Sequence, residues 1–532
     1  MGFHCYKAGD QHFMSFCISR GGDSEYIYLE VIQERSFHVL TSSTQSLQLV
    51  PARMSGSPEG IYEPGVVDPG LPVPQPTKSF WLSSLHPLAN HQSPWPPHAV
   101  DIAIIGSGIT GTNIARSLLQ KRPNLCIVVL EARSLCSGAT GRNGGHIKTM
   151  SFASWEQRKA AYGIEEAVRI TQFEHSHLDA LTRAARENGI DCDLVRTEGV
   201  DAYFDQATFD RAQAALDDMR AQAPELAAQY TVHTSPDRLQ QVMKLSERCV
   251  GAIGVPAASL WPYKLVTGLM ARMIESGKLN LQTHTAVTSI DDDNNTDFAL
   301  VHTTRGTVRA RHVVHATNGW LGYLLPELRP FVSPVRGNVV RYAPSSCSST
   351  STSAETNATS ASPFALSPSL SFWLRYATHD YDYLIQRASD NSIVVGRANT
   401  GRRATADDSQ TDLAPMAHLR GFAGEMLAAP ASPAAAAATI DHAWSGILAF
   451  VQDASPFVGP LPGRRQRQWV CGAYHGIGMV KAFRAAEMVA GMLLGEELAD
   501  ENPRSMLITE ERLRRLRASL EECGAGLEKP RL

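Results

Sequence analysis

The chain of 532 residues has no uninterrupted apolar run of about 18 residues, so no membrane-crossing helix is expected. It also lacks a dominant charge: 49 Lys and Arg against 53 Asp and Glu leave a formal net charge of −4. That balance gives no electrostatic footprint for nucleic acid or for an acidic membrane surface. The nine cysteines include no C-x-x-C pair and no Cys/His cluster, which argues against a structural metal and against a disulfide framework. Residues 1–22 show no charged segment followed by an apolar one, so no secretory signal is read there. A cytoplasmic location is the expectation; Pro530-Arg531-Leu532 matches a peroxisomal tripeptide only in part. Charged residues make up 19% and hydrophobic residues 43%. Both are near globular averages, which excludes wholesale disorder, and the length implies roughly two to four domains.

What is present alternates along the chain. Residues 1–78 are Ser-rich and then Pro/Gly-rich, and are expected to be a poorly ordered extension with one strand-like stretch at Tyr26–Val50. A strand at Val100–Ile105, a helix at about Ile109–Gln120 and a strand at Cys126–Leu130 make a βαβ opening. Helical patterns follow from Trp155 to Asn188 and from Gln206 to Ala227. Strand-like runs come next, and a last strand at Gln468–Gly472 leads to a helix at about Lys481–Leu494 closed by Gly495. The Ser/Thr/Ala-rich stretch 345–369 reads as a disordered insertion. This order predicts an α/β protein, with a mostly parallel sheet domain into which a second domain is inserted.

The strongest local signal is Gly106-Ser107-Gly108-Ile109-Thr110-Gly111, which directly follows an apolar strand and opens a helix. In that context Gly106 permits the tight turn, Gly108 lets a pyrophosphate approach the backbone, and Gly111 lets helix and strand pack closely. The helix N-terminus adds free N–H groups and a positive dipole end. Glu131, with Ala132 after it, closes the second strand 20 residues beyond Gly111, where a carboxylate accepts from ribose hydroxyls and repels a 2′-phosphate. A second small-residue loop follows at once: Cys136-Ser137-Gly138-Ala139-Thr140-Gly141-Arg142-Asn143-Gly144-Gly145-His146. A nicotinamide site has no evident use for that loop; a flavin dinucleotide, longer and lying deeper, has.

On those residues the chain resembles the FAD-dependent amine oxidoreductases of the D-amino-acid oxidase, glycine oxidase and sarcosine oxidase superfamily. It is closest in style to gamma-glutamylputrescine oxidase and to fungal members, from about Phe80 to Leu494. The resemblance implies a Rossmann-like FAD-binding domain with an inserted mixed or antiparallel-sheet substrate domain. It puts Thr140, Arg142, Asn143, Gly144 and Gly145 along the pyrophosphate and flavin, Val287 at the adenine, and Ala316-Thr317 on a turn beside the cofactor. Trp444-Ser-Gly446, Asp453-Ala-Ser-Pro456-Phe-Val-Gly459 and Gly472-Ala-Tyr-His475-Gly476-Ile477-Gly478-Met479 follow the family's C-terminal pattern. There Gly476 and Gly478 let backbone N–H groups approach the flavin, with a helix start near Met479. The implied segments are 79–160, 247–330 and 435–500 for the FAD domain, 161–246 and 331–434 for the substrate domain, and a helical tail at 501–532.

The implied chemistry is hydride transfer from the carbon beside an amine nitrogen to a non-covalently held FAD, with O2 as acceptor giving H2O2. The substrate is a small amine or amino acid. Arg387 is the candidate carboxylate anchor, with Arg336 second; Gln386 stands where the family usually has Pro. Lys148 is a candidate for promoting the reaction with O2, against an ordinary surface lysine. His475 is a candidate proton relay, against simple packing. A flavin monooxygenase, a biosynthetic dehydrogenase and a non-catalytic flavoprotein remain the alternatives at this stage.

Overall fold

The computed structural model describes residues 67–149, 152–292, 297–344, 364, 366–377, 380–397, 404–428, 438–464 and 467–522, together with the backbone of four N-terminal strands. Most of the expected insertion at 345–369 lies outside the described residues. The chain divides into two units, Met1–Arg53 and Met54–Leu532. In the first, strands Phe3–Ala8, Gln11–Arg20, Asp23–Ile32 and Ser36–Leu40 pair antiparallel in sequence order. This corrects the expectation of a poorly ordered extension with a single strand-like stretch. Residues 67–78 are also tied down: the Thr77 amide donates to Asp408 O at 2.8 Å, far along the chain.

The second unit is built on two large sheets. The first has a parallel core in the order Leu279–Gln282, Ile127–Leu130, Val100–Ile105, Thr307–His315, Gln468–Gly472. Ile127–Leu130 is buried throughout, and Val100–Ile105 is broken only by Asp101. Near-continuous apolar runs of this kind belong to strands covered on both faces. The helix Ile109–Lys121 lies on this sheet with Ile114, Ala115 and Leu118 fully buried, and it ends just before Pro123, which cannot continue it. It packs on the helix Ala482–Leu493, to which the Asn113 side-chain amide donates a buried hydrogen bond at Phe483 O, 2.7 Å.

The second sheet runs Ile440–Val451, Val332–Tyr342, Ile393–Arg397, Asp380–Gln386, Leu370–Ala377, Val195–Tyr203, Gly251–Ser259, His146–Ile147. All pairs are antiparallel except Leu370–Ala377 with Val195–Tyr203. This moves two expected boundaries. Gly251–Ser259 and Ile440–Val451, assigned from sequence to the FAD domain, hydrogen-bond in this sheet. Conversely, the helix Ile164–Glu187, assigned to the substrate domain, buries Phe173, Leu181 and Ala184 in the core under the first sheet. Alternation in a strand reports which face is buried, not which sheet it joins. The long helical pattern from Trp155 is broken at Gly163, φ +80°, the left-handed conformation glycine adopts without penalty.

Four strands of the parallel core end at residues singled out from the sequence. Ile105 leads to Gly106, Leu130 to Glu131, His315 to Ala316, and Gly472 to the turn before Gly476. Carboxyl ends of parallel strands are where open α/β sheets bind ligands.

Candidate active site

One cleft runs from these strand ends to the second sheet, and residues of both sheets line it. At its Rossmann end Gly106 has φ +105°, and a Cβ there would sit 2.7 Å from Ala316 O. Gly111 does not border the cleft; a Cβ on it would run into the carbonyl oxygen of Gly106. The two glycines therefore set how closely helix, strand and neighbouring turn approach. Gly108 is the N-cap, with no side-chain cap of its own. The cap comes from Thr140, whose Oγ1 accepts from the Ile109 N–H at 3.1 Å. That leaves the hydroxyl proton available to a ligand.

Glu131 borders the cleft and is held by protein donors. Its Oε2 accepts from Ser107 N at 3.0 Å and Ser107 Oγ at 2.6 Å, and its Oε1 from Arg133 N at 2.9 Å. A carboxylate so fixed keeps lone pairs for ribose hydroxyls. Arg142 also borders the cleft, but its guanidinium is engaged elsewhere. It donates to Ser137 O at 2.9 Å, Ser445 O at 2.8 Å, and Thr77 Oγ1 and Thr77 O at 3.0 and 2.6 Å. With Arg133 it shares Asp408, itself fully buried. Burial lowers the Arg142 guanidinium to about 10. Arg142 is thus a tie between the small-residue loop, the 67–78 segment and the second sheet. Ala132, Asn143, Gly144, Val287, Ala316, Thr317, Gly446, Gly476, Ile477, Gly478 and Met479 all border the same cleft. Gly145 does not: at φ +75° it is wedged against Leu260 O and the Trp81 ring.

The far wall was not read from sequence. It carries Trp373, Tyr381 and Tyr383, with Trp320, Asn318, Tyr323 and His146 also on the cleft. Lys148 reaches this end, and it is buried rather than a surface lysine. Its Nζ donates to Val200 O at 2.9 Å and Asp201 Oδ1 at 3.1 Å, and lies 4.6 Å from the Trp373 ring centre. Arg375 stands 5.2 Å from the same ring and 3.5 Å from Asp201. Burial lowers the Lys148 ammonium to about 8 although Asp201 pulls it up. His146, half-buried beside it, is pushed down to about 3 by desolvation and then by the charge of Lys148. It stays neutral at pH 7.

Three other expected residues do not reach the cleft. Arg387 is boxed by Phe80, Trp81 and Trp261, at 4.7, 5.7 and 4.7 Å from their ring centres. It pairs with Asp193 at 2.8 Å and Asp390 at 3.3 Å. Its role as substrate anchor is withdrawn: it does not border the cleft, and the ring box and two carboxylates hold the cation in place, with its Nε left without a hydrogen-bond partner. Arg387→Ala is therefore expected to lower stability by about 3 kcal/mol, read by denaturant unfolding, and to leave KM within about twofold. A large rise in KM with unchanged stability would return Arg387 to the substrate site. Arg336 is likewise held by Asp407 and Asp412. The ring of His475 faces away, its Nδ1 accepting from Val451 N at 3.1 Å, and it borders a separate small cavity with Asp453 and Lys481.

The chain has relatives among known proteins. A family model described as FAD dependent oxidoreductase (DAO) matches residues 101–492. The chain is 26% identical over 406 residues to a probable oxidoreductase OrdL of Rhizobium meliloti, covering 74% of this chain and 83% of that one. It is 23% identical over 425 residues to gamma-glutamylputrescine oxidoreductase of Escherichia coli, covering 79% and 89%. Among solved structures it is similar to a glycine oxidase from Geobacillus kaustophilus, with TM-score 0.58, 19% identity, and coverage of 78% and 99%. At that identity the structural likeness speaks for the fold.

Proposed function

We propose a function from one premise: the chain belongs to the family of FAD dependent oxidoreductases, whose model spans most of it. On this reading it oxidises a C–N bond of a small amine or amino acid, with O2 as acceptor giving H2O2, and holds FAD without a covalent link. The observation that carries it is the continuity of one cleft from the glycine turn at Gly106 to an aromatic wall on a second sheet. Such a cleft suits a dinucleotide at one end and a small organic substrate at the other.

The residues present fit FAD. Thr317 Oγ1 and Trp320 Nε1 border the cleft, are buried, and have no hydrogen-bond partner in the protein. Buried polar atoms of that kind call for a ligand. The turn Gly106–Thr110 with Thr140 would hold the diphosphate, Glu131 the ribose, Val287 the adenine, and Gly476–Met479 the flavin ring. FAD, when bound, supplies the two-electron acceptor that oxidation of a carbon beside nitrogen needs. The chain's own groups orient the substrate and set the charge around it. Trp373, Tyr381 and Tyr383 shape the pocket, and Lys148 brings a cation to its edge. Non-covalent binding is supported by the thiols: Cys471 is raised to about 12 by burial, Cys136 is raised for the same reason, and neither borders the cleft. A protonated, enclosed thiol is a poor nucleophile.

The test is an anaerobic visible titration of purified holoprotein with a panel of amines and amino acids. Bleaching of the flavin band by one compound, recovery in air and stoichiometric peroxide are expected. Bleaching that recovers only with an artificial acceptor would remove O2 from the proposal. A flavin that no amine or amino acid bleaches would remove the substrate class.

A further inference from the structure

The helix Glu510–Glu522 lies beyond the residues matched by the family model, yet it reaches the turn that carries the flavin-facing glycines. Its Leu516 and Leu520 are buried in one cluster with Leu321, Phe331, Val470 and Ala473. Ala473 stands at φ +61° two residues before His475 at φ +52° and three before Gly476. Left-handed backbone at alanine and histidine is costly and must be held by its surroundings.

Arg512, on the same helix, is 4% exposed and makes a forked ion pair with Asp453, Nε to Oδ2 at 2.8 Å and Nη2 to Oδ1 at 2.9 Å. Its remaining N–H groups donate to loop carbonyls: Nη2 to Ser455 O at 2.7 Å, and Nη1 to Pro456 O at 2.8 Å and Met506 O at 3.1 Å. Arginine's planar fork suits that task and lysine's single ammonium does not. The clamped loop joins the strand Ile440–Val451, of which Gly446–Ala449 border the cleft, to the strand Phe457–Pro460. Its N-terminal neighbour Val451 donates to His475 Nδ1, and the Phe450 ring lies where a Cβ on Gly476 would touch it, at 3.2 Å. The Ala454 carbonyl accepts from Lys481 Nζ at 3.5 Å, just past Met479.

We propose that Arg512 is a positioning residue for the cofactor: by clamping the 453–456 loop it fixes the His475–Gly478 turn against the flavin. It touches no reacting atom, and it acts through Asp453, Val451 and His475. The proposal rests on the FAD family assignment and not on the identity of the amine.

The experiment compares Arg512→Met, Arg512→Lys and Leu516→Ala in the full chain. FAD affinity is read by fluorescence of the reconstituted protein, the visible flavin spectrum records its surroundings, and Tm is read on apo and holo forms. Leu516→Ala weakens the packing of the same helix and leaves the clamp intact. Arg512→Met is expected to raise the FAD Kd at least tenfold and to shift the flavin band. Leu516→Ala at a comparable loss of apo Tm should keep Kd within twofold, and Arg512→Lys should restore part of the affinity. An unchanged Kd and spectrum in Arg512→Met would overturn the proposal. So would an equal loss of affinity in Leu516→Ala, which would make the helix a general support. Should Arg512→Met fail to fold, Asp453→Asn removes the other half of the fork and is judged by the same readings.

Discussion

Gly111→Ala is expected to abolish FAD retention, with purified protein colourless and its FAD Kd raised at least about 100-fold. The added Cβ would collide with the carbonyl oxygen of Gly106 and meet Ile104 Cγ2 at 3.1 Å. The first obstacle is backbone, so no rotamer change relieves it. Gly106 cannot retreat, because it lies under the Ala316 carbonyl at φ +105°. The remaining response is for the helix Ile109–Lys121 to move outward. That movement pulls the Ile109 N–H away from Thr140 Oγ1 and opens the turn that would grip the diphosphate. Forced overpacking of this kind costs about 1–3 kcal/mol, sometimes more, so the fold should survive while the site does not. Gly421→Ala, in the helix Leu413–Met426 with open space where the Cβ would go, is the control and should gain about 0.5–1 kcal/mol. The ratio of flavin to protein absorbance and thermal unfolding decide the matter. Native stoichiometry in Gly111→Ala would show that the close approach of helix and turn is dispensable.

That glycine turn was legible because its chemistry is contiguous: strand, turn, helix start and acid fall within 31 residues, Asp101 to Glu131. The aromatic wall was not legible, for a physical reason. Trp373, Tyr381 and Tyr383 stand on antiparallel strands, and an aromatic residue that faces a cleft has the same spacing as one that faces a core. Only the register of Trp373 opposite Tyr383 brings them together. Arg387 was misread because its partners are remote. Phe80 and Trp81 come some 300 residues earlier, and no local pattern tells a guanidinium aimed at a substrate from one boxed by rings. The domain boundaries failed in the same way. Strands Gly251–Ser259 and Ile440–Val451 are apolar enough for either sheet, and their partners are chosen by topology.

Lys148→Met should give a protein that is more stable at pH 7 and far less active. The ammonium is buried with one carboxylate, Asp201, shared with a second buried cation, Arg375. Burial lowers it from 10.5 to about 8. The sign follows from linkage. Between pH 8 and 10.5 the unfolded chain binds the proton more readily than the folded one, so native stability rises through that window and the whole penalty is present below it. The shift corresponds to about 3 kcal/mol of destabilisation at pH 7. Methionine removes the charge, keeps the length and leaves Asp201 paired with Arg375. Against this stand the lost hydrogen bonds to Val200 O and Asp201 Oδ1, about 1 kcal/mol each. The variant should thus gain about 1 kcal/mol at pH 7, and the gain should vanish above pH 10. Denaturant unfolding at both pH values measures it. From its burial on the wall of the cleft we infer a use for this cation in the reaction. Bleaching by substrate, or recovery in air, should slow by about 100-fold, and which of the two slows tells whether Lys148 serves the amine or the acceptor. Equal stability at both pH values together with unchanged rates would make Lys148 a structural lysine that happens to border the site.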